Sequence, residues 1–427
     1  MSKARRPRLE KSQKQETFAS SSSPKPTEVV PSELSWSPEF IRELLPSAER
    51  TALFYHLSYL CLGNFPKLER LIRERALDTQ LLFGSSEAVL LKCVGTSSNL
   101  VSSLFPMLMT AVEKNKPVLA VRYLEKARTW ISDIIRSVDD MVKRYDQQNR
   151  SVATCTSDVI QEQKETEGKI TSNTKEMESL KEAVDKLEKE LRKHNRNMEE
   201  LERKIEDKNR ELQNHITNSS KNRFGILRAL VPFFAFVQDM ITTPAIAAKT
   251  QSLNADLSCL NSEKSSLQSK QWMIQVRLTD LQLKLATSKI QLGVIPSPVH
   301  LEDVQQCLSR IQQILVQLQK FWEKVETLLD TLKEKTFVNE YLIEDLDDMK
   351  EEFLTSIEAA GKCWQRFGEC CQRAQGIFSV QSKDAYKFLE TNPSSLSTDE
   401  WEKQRKSIME RLNEISPQGS SKVAITE

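Results

Sequence analysis

Turn-forming residues are scarce in this chain, with 10 glycines and 15 prolines in 427 residues, and aromatic residues make up only 7%. This scarcity excludes a fold of many short strands joined by tight turns. Charge of one sign is also lacking, since 61 Lys and Arg stand against 60 Asp and Glu for a formal net charge of +1. Without a basic domain there is no general attraction for a phosphate backbone, so nucleic acid is not an expected partner. No GxxxxGK[ST] or GxGxxG loop occurs, which excludes nucleotide-driven helical hairpins. Only four histidines are present, and none stands near a Ser, Cys or carboxylate at a spacing that suggests nucleophile and base. No catalytic residue, cofactor or small-molecule substrate is therefore expected, and the chain does not read as an enzyme.

The 8 cysteines are scattered through presumed helices rather than spaced as a framework of short loops, and they read as reduced thiols. Cys363, Cys370 and Cys371 fall roughly on one helix face, but with no nearby His and no CxxC pair a metal site is not expected. The first thirty residues hold seven Lys or Arg against three Glu and no apolar run of a secretory leader. A cytoplasmic soluble form with membrane association is the expectation, any secretion being non-classical. Residues 1–36 read as a solvated basic tail, the alternative being an anionic-surface role for Lys3, Arg5, Arg6 and Arg8.

Leu, Glu, Lys, Gln and Ser dominate, as solvated helices with narrow apolar seams require. Ser37-Pro38-Glu39 sets a capping residue before a proline and opens a short-helix cluster over 37–116, with breaks expected at Gly63-Asn64 and Pro106 and an end at Asn115-Lys116-Pro117. A long-helix bundle then covers 117–390, and a C-terminal helix with a disordered tail covers 391–427. No proline lies between Pro117 and Pro232, so very long helices are permitted. Heptad spacing places Ile170, Met177, Val184, Leu191, Met198, Ile205 and Leu212 on one seam. A second arm repeats the pattern with Leu253, Leu260, Leu267, Ile274 and Leu281, its partner positions holding Leu257, Leu278, Leu285 and Leu292.

Arms of similar length, 170–216 and 251–292, around one linker predict an antiparallel coiled-coil hairpin, with Leu212 near Leu253 and Leu191 near Ile274. Each arm would reach about 65 to 70 Å beyond the body at 1.5 Å per residue. The helices after Pro298 carry a stripe at Val304, Leu308, Ile311, Leu315, Leu318, Trp322, Val325 and Leu329, and are expected to pack against residues 118–150. Ser397 with Glu400 forms a capping box for the last helix. The fold class is all-α, an elongated bundle of long helices with an antiparallel coiled-coil hairpin carrying an apolar tip.

That tip is FGILRALVPFFAFVQDMITTPAIAA, residues 224–248, with Arg228 and Asp239 as its only charges. Leaving Phe233, Phe234 and Phe236 in water costs about 1.5–3 kcal/mol each. The segment must be covered by protein, a partner or lipid. Its expected lipid-facing residues are Phe224, Ile226, Leu227, Leu230, Val231, Phe233, Phe234, Phe236, Val237, Met240, Ile241 and Ile246. Pro232 and Pro244 divide it into pieces too short for two crossings, which favours a re-entrant or amphipathic hairpin. Lys221, Arg223 and Lys249 sit at its margins, placed to meet lipid headgroups. His194 and His215 fall on the first seam, where they read as a pH switch or, more plainly, as polar positions that set register.

The organisation resembles that of the α-helical pore-forming toxins of the cytolysin A and haemolysin BL type, in which very long helices flank a hydrophobic tongue, here LRALVPFFAFVQDMITTPAIAAK. The resemblance covers about residues 118–378. It departs from the family in the basic tail and the cluster before Pro117. It implies a soluble monomer, insertion of the tip into a lipid membrane and homo-oligomers there, with room for a second component. Two alternatives stand beside it: a coiled-coil scaffold and a constitutively membrane-anchored coiled-coil protein.

Overall fold

The computed structural model describes residues 39–167, 175–219, 244–334 and 350–415. Among them the chain forms helices and short turns with no strand: α1 (Glu39–Leu62), α2 (Pro66–Asn99), α3 (Phe105–Glu113), α4 (Pro117–Glu167), α5 (Lys175–Ser219), α6 (Pro244–Gln291), α7 (Val299–Leu332), α8 (Lys350–Ala385) and α9 (Thr398–Glu414).

Local chemistry sets the helix ends. Asn115 takes a left-handed φ of 48°, and Lys116 N–H reaches back to Ala111 O at 2.7 Å, the sharp stop that a short polar side chain allows after α3. Gly293 stops α6 in the same way with φ 71°. Ser397 and Glu400 form the reciprocal capping box that opens α9. Gly63 follows α1 directly, and a Cβ there would collide with Pro393 and with Tyr59 O. α2 runs without a break through Gly84. Buried Leu82, Phe83, Val89, Leu90 and Cys93 pin α2 on either side of Gly84, and a single turn of π-helix, Leu100–Leu104, instead absorbs the irregularity before Pro106.

Apolar residues of α1, α2, α3, α4, α7 and α8 share one continuous core. α4 and α7 run antiparallel, with Asn149 Nδ2 donating to Ser309 Oγ at 2.6 Å at one level and Arg128 lying 3.5 Å from Asp330 at another. The expected packing of the last helices on 118–150 holds for α7. α8 lies instead against α2, α1 and α3, and α9 against α1 and α6. The reason is a close approach between α2 and α8, where Gly368 sits over Ser97 and the buried Cys93 and Cys371 thiols face each other. Trp322 of α7 and Trp364 of α8, with ring centroids 5.3 Å apart, and Phe321 and Phe367, 5.2 Å apart, fill the layer between those helices.

Candidate functional site

α5 and α6 run side by side in opposite directions. Gln271 Nε2 donates to Asn195 Oδ1 at 2.7 Å, Lys264 Nζ lies 3.3 Å from Glu202 Oε1, and Lys208 Nζ lies 3.3 Å from Asp256 Oδ2. Residue numbers rise along one helix as they fall along the other, in the register that pairs Leu212 with Leu253. Toward the far end of this pair, Leu201, Ile205, Leu212, Leu253 and Leu257 form a small core of their own, flanked by Leu260 and Leu267 and separate from the main core.

Two of the polar seam positions, Lys208 and Lys264, are engaged by carboxylates. Lys264 is 7% exposed, and its partner Glu202 also lies 3.5 Å from Arg310 of α7, so one carboxylate ties α5 to both α6 and α7. Lys208 is held by Glu211 and Asp256, which raise its pKa. His194 and His215 are half-buried on α5, and Nδ1 of His194 and Nε2 of His215 are enclosed without a hydrogen-bond partner.

α6 departs from the projecting arm that its heptads suggest. From Trp272 onward it carries a second apolar face, with Trp272, Val276, Leu283 and Ala286 entering the main core, while Leu292 at the expected end of the seam is 47% exposed. Trp272 Nε1 donates to Leu412 O at 2.8 Å, the Arg50 guanidinium lies 4.1 Å above the Trp272 ring, and Asp280 pairs with Arg405 at 3.0 Å. Gln275 Nε2 donates to Asp303 Oδ1 at 2.9 Å. Beside it His300, 3% exposed, has both ring nitrogens without a hydrogen-bond partner, Nδ1 lying 3.5 Å from Asp303 Oδ2. Burial lowers the pKa of Arg50 in the same junction. These groups come from α1, α6, α7 and α9, and no short sequence motif brings them together.

Residues 220–243 connect the two helices at the far end of the pair. Lys221, Arg223, Phe224, Ile226, Leu227, Leu230, Val231, Phe233, Phe234, Phe236, Val237, Met240 and Ile241 lie outside the described residues. Ile246 belongs to the first turns of α6, and Lys249 is exposed there. Among the described residues one helical stretch, Pro66–Glu113, is long and apolar enough to cross a membrane by length and composition, and 44% of its most apolar window is buried in the body. By its sequence that stretch is part of the short-helix cluster over 37–116.

No protein-family model matches the chain, and no curated protein matches it. Solved structures of toxin components are similar to it. Two crystal forms of soluble SmhA, of the tripartite alpha-pore forming toxin Smh from Serratia marcescens, align at 10% identity with TM-scores of 0.44 and 0.47, covering 81% of this chain and 96% of SmhA. The HblL1 toxin component of Bacillus cereus aligns at 12% identity and a TM-score of 0.32, covering 84% of this chain and 98% of its own.

Proposed function

We propose that this chain is a membrane-active helical protein of the pore-forming-toxin type, which delivers the apolar segment 224–248 to a lipid bilayer and oligomerises there. The observation that carries this reading is the antiparallel pair with its private core. It brings the two ends of the apolar link, at Ser219 and Pro244, to one end of a narrow two-helix pair whose last seam residues are Leu212 and Leu253. A segment with so little charge is costly in water, about 25 cal/mol for each Å² of apolar surface left exposed. Lipid is the solvent that removes this cost, and Lys249, exposed beside the link, is placed for an anionic headgroup. The separate small core also supports a change of packing in the pair without disruption of the body. Flotation with vesicles of phosphatidylcholine and phosphatidylserine, together with release of an entrapped dye, tests the proposal. Binding and release that depend on the link support it, and a chain that neither floats nor releases dye overturns it.

A further inference from the structure

The solvent face of α2 carries Leu77, Leu81, Gly84, Ala88, Leu91 and Gly95, spaced alternately by four and three, and all are exposed. Leu81 is 71% exposed, Leu91 49% and Leu77 43%. A Cβ added at Gly84 or Gly95 would meet nothing within 4 Å. Each glycine therefore weakens the interior of a helix by about 1 kcal/mol relative to alanine, and nothing among the described residues requires the missing side chain. The nearby charges are engaged elsewhere: Asp78 faces Arg75 at 3.3 Å, Glu87 accepts from Gln375, and Lys92 donates to Ser137 at 2.6 Å.

We propose that this face seats a second copy of the chain, the two α2 helices packing antiparallel about a two-fold axis level with Ser86. In that register Leu77 sits over the partner's Gly95, Leu81 meets the partner's Leu91, and Gly84 faces the partner's Ala88. Large residues meet small ones at the ends, and two small ones at the centre let the helices approach closely. The pattern is self-complementary, as an isologous contact requires. A parallel pairing would instead set leucine on leucine and glycine on glycine, leaving gaps between crowded layers. No like charges meet in the antiparallel register, where Lys92 comes opposite the partner's Gln80 and Glu74 opposite the partner's Ser98.

A second copy fits this face better than a bilayer, because the stretch could span lipid only by pulling its buried half out of the core, whereas the dimer covers the stripe and leaves the core intact. The stripe is a single helix face about 27 Å long, too narrow to bury the roughly 800 Å² per partner of a stable dimer. The pairing is thus a weak one. It concerns the protein free in solution and stands apart from the lipid reading above.

Sedimentation velocity on the full chain from about 1 to about 200 μM tests it. The expected result is a monomer at the low end whose mean mass rises toward twice that value. Leu81→Glu with Leu91→Glu holds the mass at the monomer with unchanged circular dichroism, and Gly84→Leu, which has open space in its own fold, does the same. A monomer at every concentration overturns the proposal. So does a dimer that both variants leave intact, or a loss of vesicle flotation in Leu81→Glu without any dimer in the parent, which would assign the face to lipid.

Discussion

Lys264 of α6 is buried in the seam of the helix pair, with its ammonium 3.3 Å from the Glu202 carboxylate of α5. A lysine at a core position of an apolar seam would ordinarily weaken it. Here it is bound by a carboxylate that also reaches Arg310 of the body, so the pair fixes register and anchors the arm at once. Glu202→Gln removes the carboxylate charge that faces the ammonium and is expected to cost about 1–2 kcal/mol, reduced from the fully buried case because Glu202 is partly exposed. Lys264→Met recovers most of that loss in the double variant. Hydrogen exchange checks both, with faster exchange confined to α5 and the outer half of α6.

The register itself is testable by covalent trapping. In a Cys259→Ser background, which removes an exposed thiol, Leu212→Cys with Leu253→Cys is expected to form a disulfide within one chain on mild oxidation. The product runs as a monomer on non-reducing gels. Crosslinked dimers as the main product would show that the two helices pair between chains.

Replacing Phe233, Phe234 and Phe236 together by Ser removes about 5–9 kcal/mol of transferable apolar burial from the link alone. Flotation and dye release are expected to disappear while the helical circular dichroism and thermal midpoint stay within error. A variant that unfolds instead would make the link part of the resting core.

His56 is stacked on Phe388 with ring centroids 4.5 Å apart and hydrogen-bonded to Gln404 at 3.1 Å. Burial lowers its pKa from the ordinary 6.5 to about 4. The unfolded chain therefore takes up a proton before the folded one does. Stability is full above about pH 6.5, falls as the pH drops toward 4, and loses about 3 kcal/mol in all from this group. Urea titrations at pH 7 and pH 4.5 are expected to show a smaller acid loss in His56→Asn than in the parent. Equal losses would assign the acid sensitivity elsewhere.

Much of this architecture was legible before any coordinates, because the signals are local or periodic. Long stretches without proline permit long helices, a seven-residue repeat marks a seam, and Asn115, Gly293 and Ser397 end or begin helices by their own backbone and side-chain chemistry. The register of α5 on α6 follows from the same repeat, since two apolar seams meet only when their heptads are in step.

Other features depended on which surfaces met, and periodicity alone does not specify that. From Trp272 onward α6 has apolar residues on two faces, and a heptad count sees only one of them. The body claims the other through the Leu412 carbonyl and the Arg50 guanidinium, so the arm is embedded where the repeat alone would set it free. The His300 and Asp303 pair and the open stripe on α2 have the same origin. By itself the sequence determined which segments are helical, where several of them stop and how the two arms align, because these depend on neighbours a few residues apart. Only the tertiary structure decided which of two apolar faces is core, which polar side chains are buried with a partner and which leucines are left in water, because these depend on residues brought together from hundreds of positions apart.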